Sequence, residues 1–164
     1  MKKALIILAL GLLVFSVVSM AQDQPKEKPW FDMKNCDFCK NLVVDSMLML
    51  NMVWEHHDIS NGLMIVTLVK PEYMASYKKA VDAMMKLGQE MAQGKKDVKT
   101  CGFCDAYGTL TMSGAKVETI NGDWGDITLI TSDKPELQKS IKEFGQKCRD
   151  ELAKMSQPAG EKKM

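Results

Sequence analysis

The chain has 164 residues, five cysteines, fourteen methionines and a formal charge of +1. A chain of this length buries a core without covalent staples, so the cysteines need an explanation of their own. The near balance of 22 basic and 21 acidic residues excludes a nucleic-acid binder, which needs a clear basic excess to hold phosphates.

Residues 4–18 form an unbroken apolar run behind Lys2 and Lys3, and Ser19-Met20-Ala21 closes it as a small-x-small cleavage site. This is the layout of a secretory signal peptide over residues 1–21, and the run is too short for a confident bilayer span. No later stretch is long and apolar enough to span, so no stable membrane insertion is expected after cleavage. Residue 22 is Gln rather than Cys, which argues against a lipid anchor there. Without Lys2 and Lys3 the acidic residues slightly outnumber the basic ones. The expected mature protein is exported, periplasmic or extracellular, and soluble, in a compartment where disulfides persist.

Residues 22–35 read as a polar leader. Over residues 36–50, Cys36, Cys39, Val43, Met47 and Leu50 recur at helical spacing, which predicts a helix. Residues 52–59 read as a strand, Ser60-Asn61-Gly62 as a hairpin turn, and residues 63–69 as a β-branched strand. Pro71 opens the next helix, where its fixed φ fits the first turn. Tyr73, Tyr77, Ala80, Met84 and Met91 form its apolar stripe.

A hydrophilic linker over residues 93–100 leads to a second cysteine pair. Residues 101–112 are a helix candidate, weakened by Gly108, Thr109 and Thr111. Residues 115–120 and 126–131 read as strands around a turn over 121–125. Asp133 is a candidate cap for a helix opening near Lys134-Pro135, with the stripe Leu137, Ile141, Phe144, Cys148, Leu152 and Met155. Residues 156–164 read as a disordered tail.

The two halves share an order of landmarks. Cys36-Asp37-Phe38-Cys39 returns as Cys101-Gly102-Phe103-Cys104 at an offset of 65, and Met47 and Met112 each follow by eight residues. Lys70-Pro71-Glu72 returns as Lys134-Pro135-Glu136 and Ser76 as Ser140, at an offset of 64. The reading is one α+β domain over residues 36–155, internally duplicated from α-β-β-α units at 36–92 and 101–155. An isolated hairpin is marginal, so the units are expected to share one four-stranded antiparallel sheet packed against helices with pseudo-twofold symmetry.

Two Cys-x-x-Cys motifs admit three kinds of chemistry. Brought together, Cys36, Cys39, Cys101 and Cys104 would supply four thiolates to Zn²⁺, or to Cu(I), which soft ligands select. Alternatively Cys101 and Cys104 would act in a periplasmic thiol–disulfide oxidoreductase, with a thiolate favoured at a helix N-terminus. No thioredoxin-like strand precedes either pair. In the third reading disulfides staple an interaction module; a bridge between the motifs would close a loop of about 65 residues and stabilise by about 4 kcal/mol. Cys148 sits on a core stripe and reads as a small buried hydrophobe. Met47 and Met112 lie two helical turns beyond their cysteines, too far for co-ligation within one helix, and read as core filler.

His56 and His57 are the only histidines, and strand alternation sends them to opposite faces. His57, near Glu55, is the better candidate for an additional metal ligand. Asp123 and Asp126 around Trp124 lack the oxygen ladder of an EF-hand, which discounts calcium. Neither cysteine pair is followed by His, which excludes covalent c-type haem. No phosphate loop, nucleophile elbow or His-Glu-x-x-His helix is present, so the balance leans away from an enzyme. The expected partners are a metal ion or small ligand and, as an interaction module, another exported protein.

Overall fold

The computed structural model describes residues 28–156. The expected signal peptide, the leader as far as residue 27, and the tail from residue 157 lie outside the described residues. What remains is an α+β arrangement of four antiparallel strands and three α-helices. Strands β1 (Met52–Ile59), β2 (Gly62–Val69), β3 (Lys116–Gly122) and β4 (Gly125–Thr131) lie in the order β1-β2-β4-β3. Helices α1 (Met74–Ala92), α2 (Gly102–Met112) and α3 (Pro135–Ser156) complete it. Among the described residues no helix is long and apolar enough to cross a membrane.

Each hairpin closes through two residues, Ser60-Asn61 between the paired Ile59 and Gly62, and Asp123-Trp124 between the paired Gly122 and Gly125. The central strands then pair, Gly62 with Thr131 and Leu68 with Gly125. Alternation puts Leu63, Ile65 and Ile130 on one side of the sheet, where they pack with Ile141, Phe144 and Cys148 of α3. On the same side Leu42, Leu48 and Val69 pack with Met74, Tyr77 and Ala80 at the start of α1. Tyr77 donates its hydroxyl to Asp126 at 2.6 Å, tying α1 to β4, and burial pushes the phenol above its usual range.

The predicted helix over residues 36–50 does not form. Two short 3-10 turns stand there, Cys39–Val43 and Met49–Asn51. The Asp45 carboxylate accepts from the Met47 N–H at 3.0 Å, a local bond that competes with helix propagation. Val44 and Leu50 end three-quarters exposed, while Leu48, outside the predicted stripe, is fully buried. Conversely α2 forms despite poor propensity. The Thr109 and Thr111 hydroxyls donate back to the carbonyls of Asp105 and Gly108, both at 2.8 Å. Its first amides, on Gly102 and Phe103, donate to the carbonyls of Pro29 and Trp30, both at 2.9 Å. Asp133 pairs with Lys116 at 2.7 Å, and the Ser132 hydroxyl accepts from the Lys134 N–H at 3.1 Å. On α3, Leu137, Ile141, Phe144 and Cys148 are buried as the stripe requires, whereas Met155 at its end is exposed.

Candidate metal centre

The two Cys-x-Phe-Cys segments meet. Cys101 is the residue flanking the start of α2, in extended conformation, and Cys104 lies in the helix's first turn. Cys36 precedes the first 3-10 turn and Cys39 opens it. The segments are joined by backbone: the Asp37 N–H donates to the Lys99 carbonyl at 2.8 Å, and the Lys99 N–H returns to the Asp37 carboxylate at 2.8 Å. The same carboxylate accepts from Lys40 at 2.5 Å, and these bonds hold Asp37 below its ordinary carboxyl range, Lys40 contributing most. Asp32 fixes the preceding turn by accepting from the amides of Lys34 and Asn35 at 3.1 and 2.8 Å. Asp105 accepts from Lys28 at 2.5 Å and from the Thr100 hydroxyl.

Each phenylalanine anchors its cysteine pair in a different layer. Phe38 packs on the cysteines and approaches α1 at Gly88. Phe103 enters an aromatic cluster, with ring centroids 5.2 Å from Trp54, 5.3 Å from Phe144 and 5.4 Å from Phe31. Gly102 lies between the two cysteines because Trp30 crosses it; a Cβ there would stand 3.2 Å from the Trp30 Cα. Lys28 to Asn35 therefore belong to the site's framework.

Between the segments, Cys36 and Cys104 Sγ are 3.6 Å apart, Cys39 and Cys101 3.5 Å, and Cys39 and Cys104 3.7 Å. All four sulfurs lie within 4.8 Å of one another. A tetrahedron of thiolates about 2.3 Å from Zn²⁺ has edges of about 3.8 Å, so the spacing and the donor set fit one tetrahedral ion. Cys36, Cys39 and Cys101 are buried and Cys104 is partly so, with Met33 and Phe38 among their cover. All five cysteines are free thiols. Cys101 is held far below the usual thiol range, chiefly because Cys104 and Cys39 donate to it. Those two thiols are pushed up, each mainly by its bond to Cys101. A cation bound among the four sulfurs would take the place of the thiol protons. The Cys39 N–H also donates to the Cys36 sulfur at 3.5 Å, of the kind that steadies a thiolate ligand.

The other candidates fall elsewhere. His57 is exposed on β1 with its Nε2 2.9 Å from the Glu55 carboxylate, and it is not among the four side chains whose ligand atoms cluster. His56 points to the opposite face and is buried. Cys148 is fully buried in the core beside α3's other apolar residues, and desolvation pushes its thiol up to about 12. Met112 is 90% exposed and Met47 46%, so neither is core filler; Met33 is the methionine against the cysteines. Sequence reading missed Asp32, Asp37 and Trp30. The Asp following Cys36 and the Trp ahead of it were visible, but nothing local said that Lys99 and Gly102 would meet them. No family model, curated protein or solved structure matches this chain.

Proposed function

We propose that this is an exported protein that holds one Zn²⁺ through Cys36, Cys39, Cys101 and Cys104. The observation carrying it is the set of sulfur separations, 3.5 to 3.7 Å across two segments more than sixty residues apart. Four protein ligands would fill the tetrahedron and leave no open position for substrate, the pattern of a metal that holds structure. The thiol–disulfide reading calls for an accessible attacking thiolate, and Cys101, the sulfur held low, is fully buried. Export rests on the apolar run and cleavage site of residues 1–21.

The same proposal includes an internal duplication about an axis between β2 and β4. At an offset of 63, Gly62 corresponds to Gly125, Thr67 to Ile130, Asn61 to Trp124 and Val69 to Ser132. A Cβ on Gly62 would strike the Ile130 carbonyl, and one on Gly125 the Thr67 carbonyl. Likewise the Val69 N–H donates to the Trp124 carbonyl at 2.7 Å, and the Ser132 N–H to the Asn61 carbonyl at 3.0 Å. Any antiparallel ladder exchanges such bonds about its own dyad, so the support for the two cysteine segments being copies is the glycine that each half carries at the same place in the ladder.

Native mass spectrometry of the exported protein tests the zinc assignment. One Zn²⁺ per chain is expected, with four thiols shielded from alkylation until a chelator is added. Four motif cysteines oxidised to disulfides, with no retained metal, would overturn it.

A further inference from the structure

The four clustered sulfurs are not equally placed. Cys36, Cys39 and Cys101 are 1%, 4% and 0% exposed, whereas Cys104 is only partly buried. A reagent dissolved in water therefore meets Cys104 first. Its sulfur is 3.6 Å from Cys36 and 3.7 Å from Cys39, both on the other segment, while Cys39 stands 3.5 Å from Cys101. The Asp37 N–H donates to the Lys99 carbonyl and the Asp37 carboxylate accepts from the Lys99 N–H, so the backbone keeps the two segments side by side while the sulfurs react.

Taking the zinc reading as given, we infer that the cysteine centre is a redox switch. A small-molecule disulfide oxidises it through Cys104, a bond forms from Cys104 to Cys36 of the first segment, and the zinc is discharged. Zinc has no oxidation chemistry of its own, so the electrons leave from sulfur. The Cys104 thiolate attacks one sulfur of the small disulfide, which makes a mixed disulfide and expels one thiolate. The Cys36 thiolate then attacks the Cys104 sulfur, closing the protein disulfide and expelling the second thiolate. Two electrons thus pass from two cysteines to one small disulfide, which departs as two thiols once protonated. Cys39 and Cys101 are left as half of the original ligand set, too few to hold the ion, and take protons from solvent. Their burial keeps the reagent away, so they stay reduced.

Cys36 is the nearer of the two sulfurs that Cys104 meets across the seam, and using it leaves the contact of Cys39 with Cys101 undisturbed. A bond across the segments also does what a bond within one motif cannot. It puts a covalent link between residues 68 apart where the ion had been, so the segments stay joined in the metal-free state. A bond from Cys101 to Cys104 would discharge the ion and leave the segments without a covalent tie. In an oxidising compartment the crossed link persists. Zinc release is thereby separated from loss of the fold.

Treating the anaerobically purified protein, its zinc content measured first, with oxidised glutathione tests this while a chromophoric chelator records release. The expected result is loss of the one bound Zn²⁺ together with two of the five free thiols. Chymotrypsin cuts after Phe38 and Phe103, which puts each of the four cysteines on its own peptide. Mass spectrometry without reduction should find Cys36 linked to Cys104. Samples quenched with acid at early times should carry glutathione on Cys104 alone. Dithiothreitol followed by Zn²⁺ should restore one ion per chain. A disulfide inside either motif, or glutathione appearing first on another cysteine, overturns the inference and leaves the zinc assignment standing. So does zinc that stays bound through excess oxidised glutathione. A starting protein without zinc overturns the zinc assignment, and the switch with it.

Discussion

His56 is an imidazole placed where its charge cannot follow. It is buried on the helix side of β1, 5.3 Å from the Trp54 ring, and among the described residues neither ring nitrogen has a hydrogen-bond partner. Arg149 of α3 donates to the His56 carbonyl at 3.2 Å and to Asp58 at 3.1 Å, which holds a guanidinium close by. Burial first, then Arg149 and His57, lower the His56 pKa to about 4. The sign follows from linkage: the unfolded chain takes up the proton near the ordinary 6.5, before the folded one does. Stability is therefore full above about pH 6.5 and is lost as pH falls toward 4. His56→Phe has no proton to gain. Urea titrations at pH 7 and pH 5 should show the variant losing about 2 kcal/mol less than wild type over that interval. Equal losses would show that His56 does not carry the acid sensitivity.

At the scale of elements, the two cysteine segments solve one geometric problem in different ways. The second uses the N-terminus of α2, with Gly102 lying under Trp30 and its amide taken by Pro29. The first has no α-helix to use, and Asp37, at the place of Gly102, clamps Lys99 instead. Asp37→Ala removes that side-chain bond but leaves the Asp37 N–H to Lys99 carbonyl bond and all four sulfurs in place. Zinc affinity should fall about tenfold, as for other groups that orient ligands, measured by competition with a chromophoric chelator. Unchanged affinity would show that the backbone bond alone joins the segments. The strands were legible because β2 is β-branched and bounded by Asn-Gly and Lys-Pro, and α1 and α3 because their stripes run for several turns. Residues 36–50 were not, since a stripe of cysteines, valine and methionine imitates helical period while Asp45 and the turn around Cys36 and Cys39 take the backbone elsewhere. Helix α2 looked poor because its missing support comes from Pro29 and Trp30, more than seventy residues upstream. The four clustered cysteines could be named from the repeated motif, but their meeting could not, because it depends on the β2–β4 pairing that brings the halves together.

For the whole molecule, the cysteine cluster lies at a seam between two bodies of packing. One is the aromatic cluster with α3, β2 and β4, which has its own buried residues Leu63, Ile130, Ile141 and Phe144. The other is the 3-10 region under α1, where Leu42 and Leu48 are buried but few backbone bonds repeat. Phe103 belongs to the first and also touches the cysteines, so the site joins a self-sufficient core to a segment that depends on it. Metal binding is folding energy for whichever part lacks structure without it. Chelation should therefore loosen the molecule unevenly rather than unfold it at once. In hydrogen exchange with excess chelator, the amides of Cys36, Asp37, Lys40 and Asn41 should lose protection by at least about a hundredfold, while those of β2, β4 and α3 remain slow. Uniform loss across the sheet would make the ion part of the global core. Retained protection at Asp37 and Lys40 would show that hydrogen bonds to Lys99 and Cys36, not zinc, hold the seam.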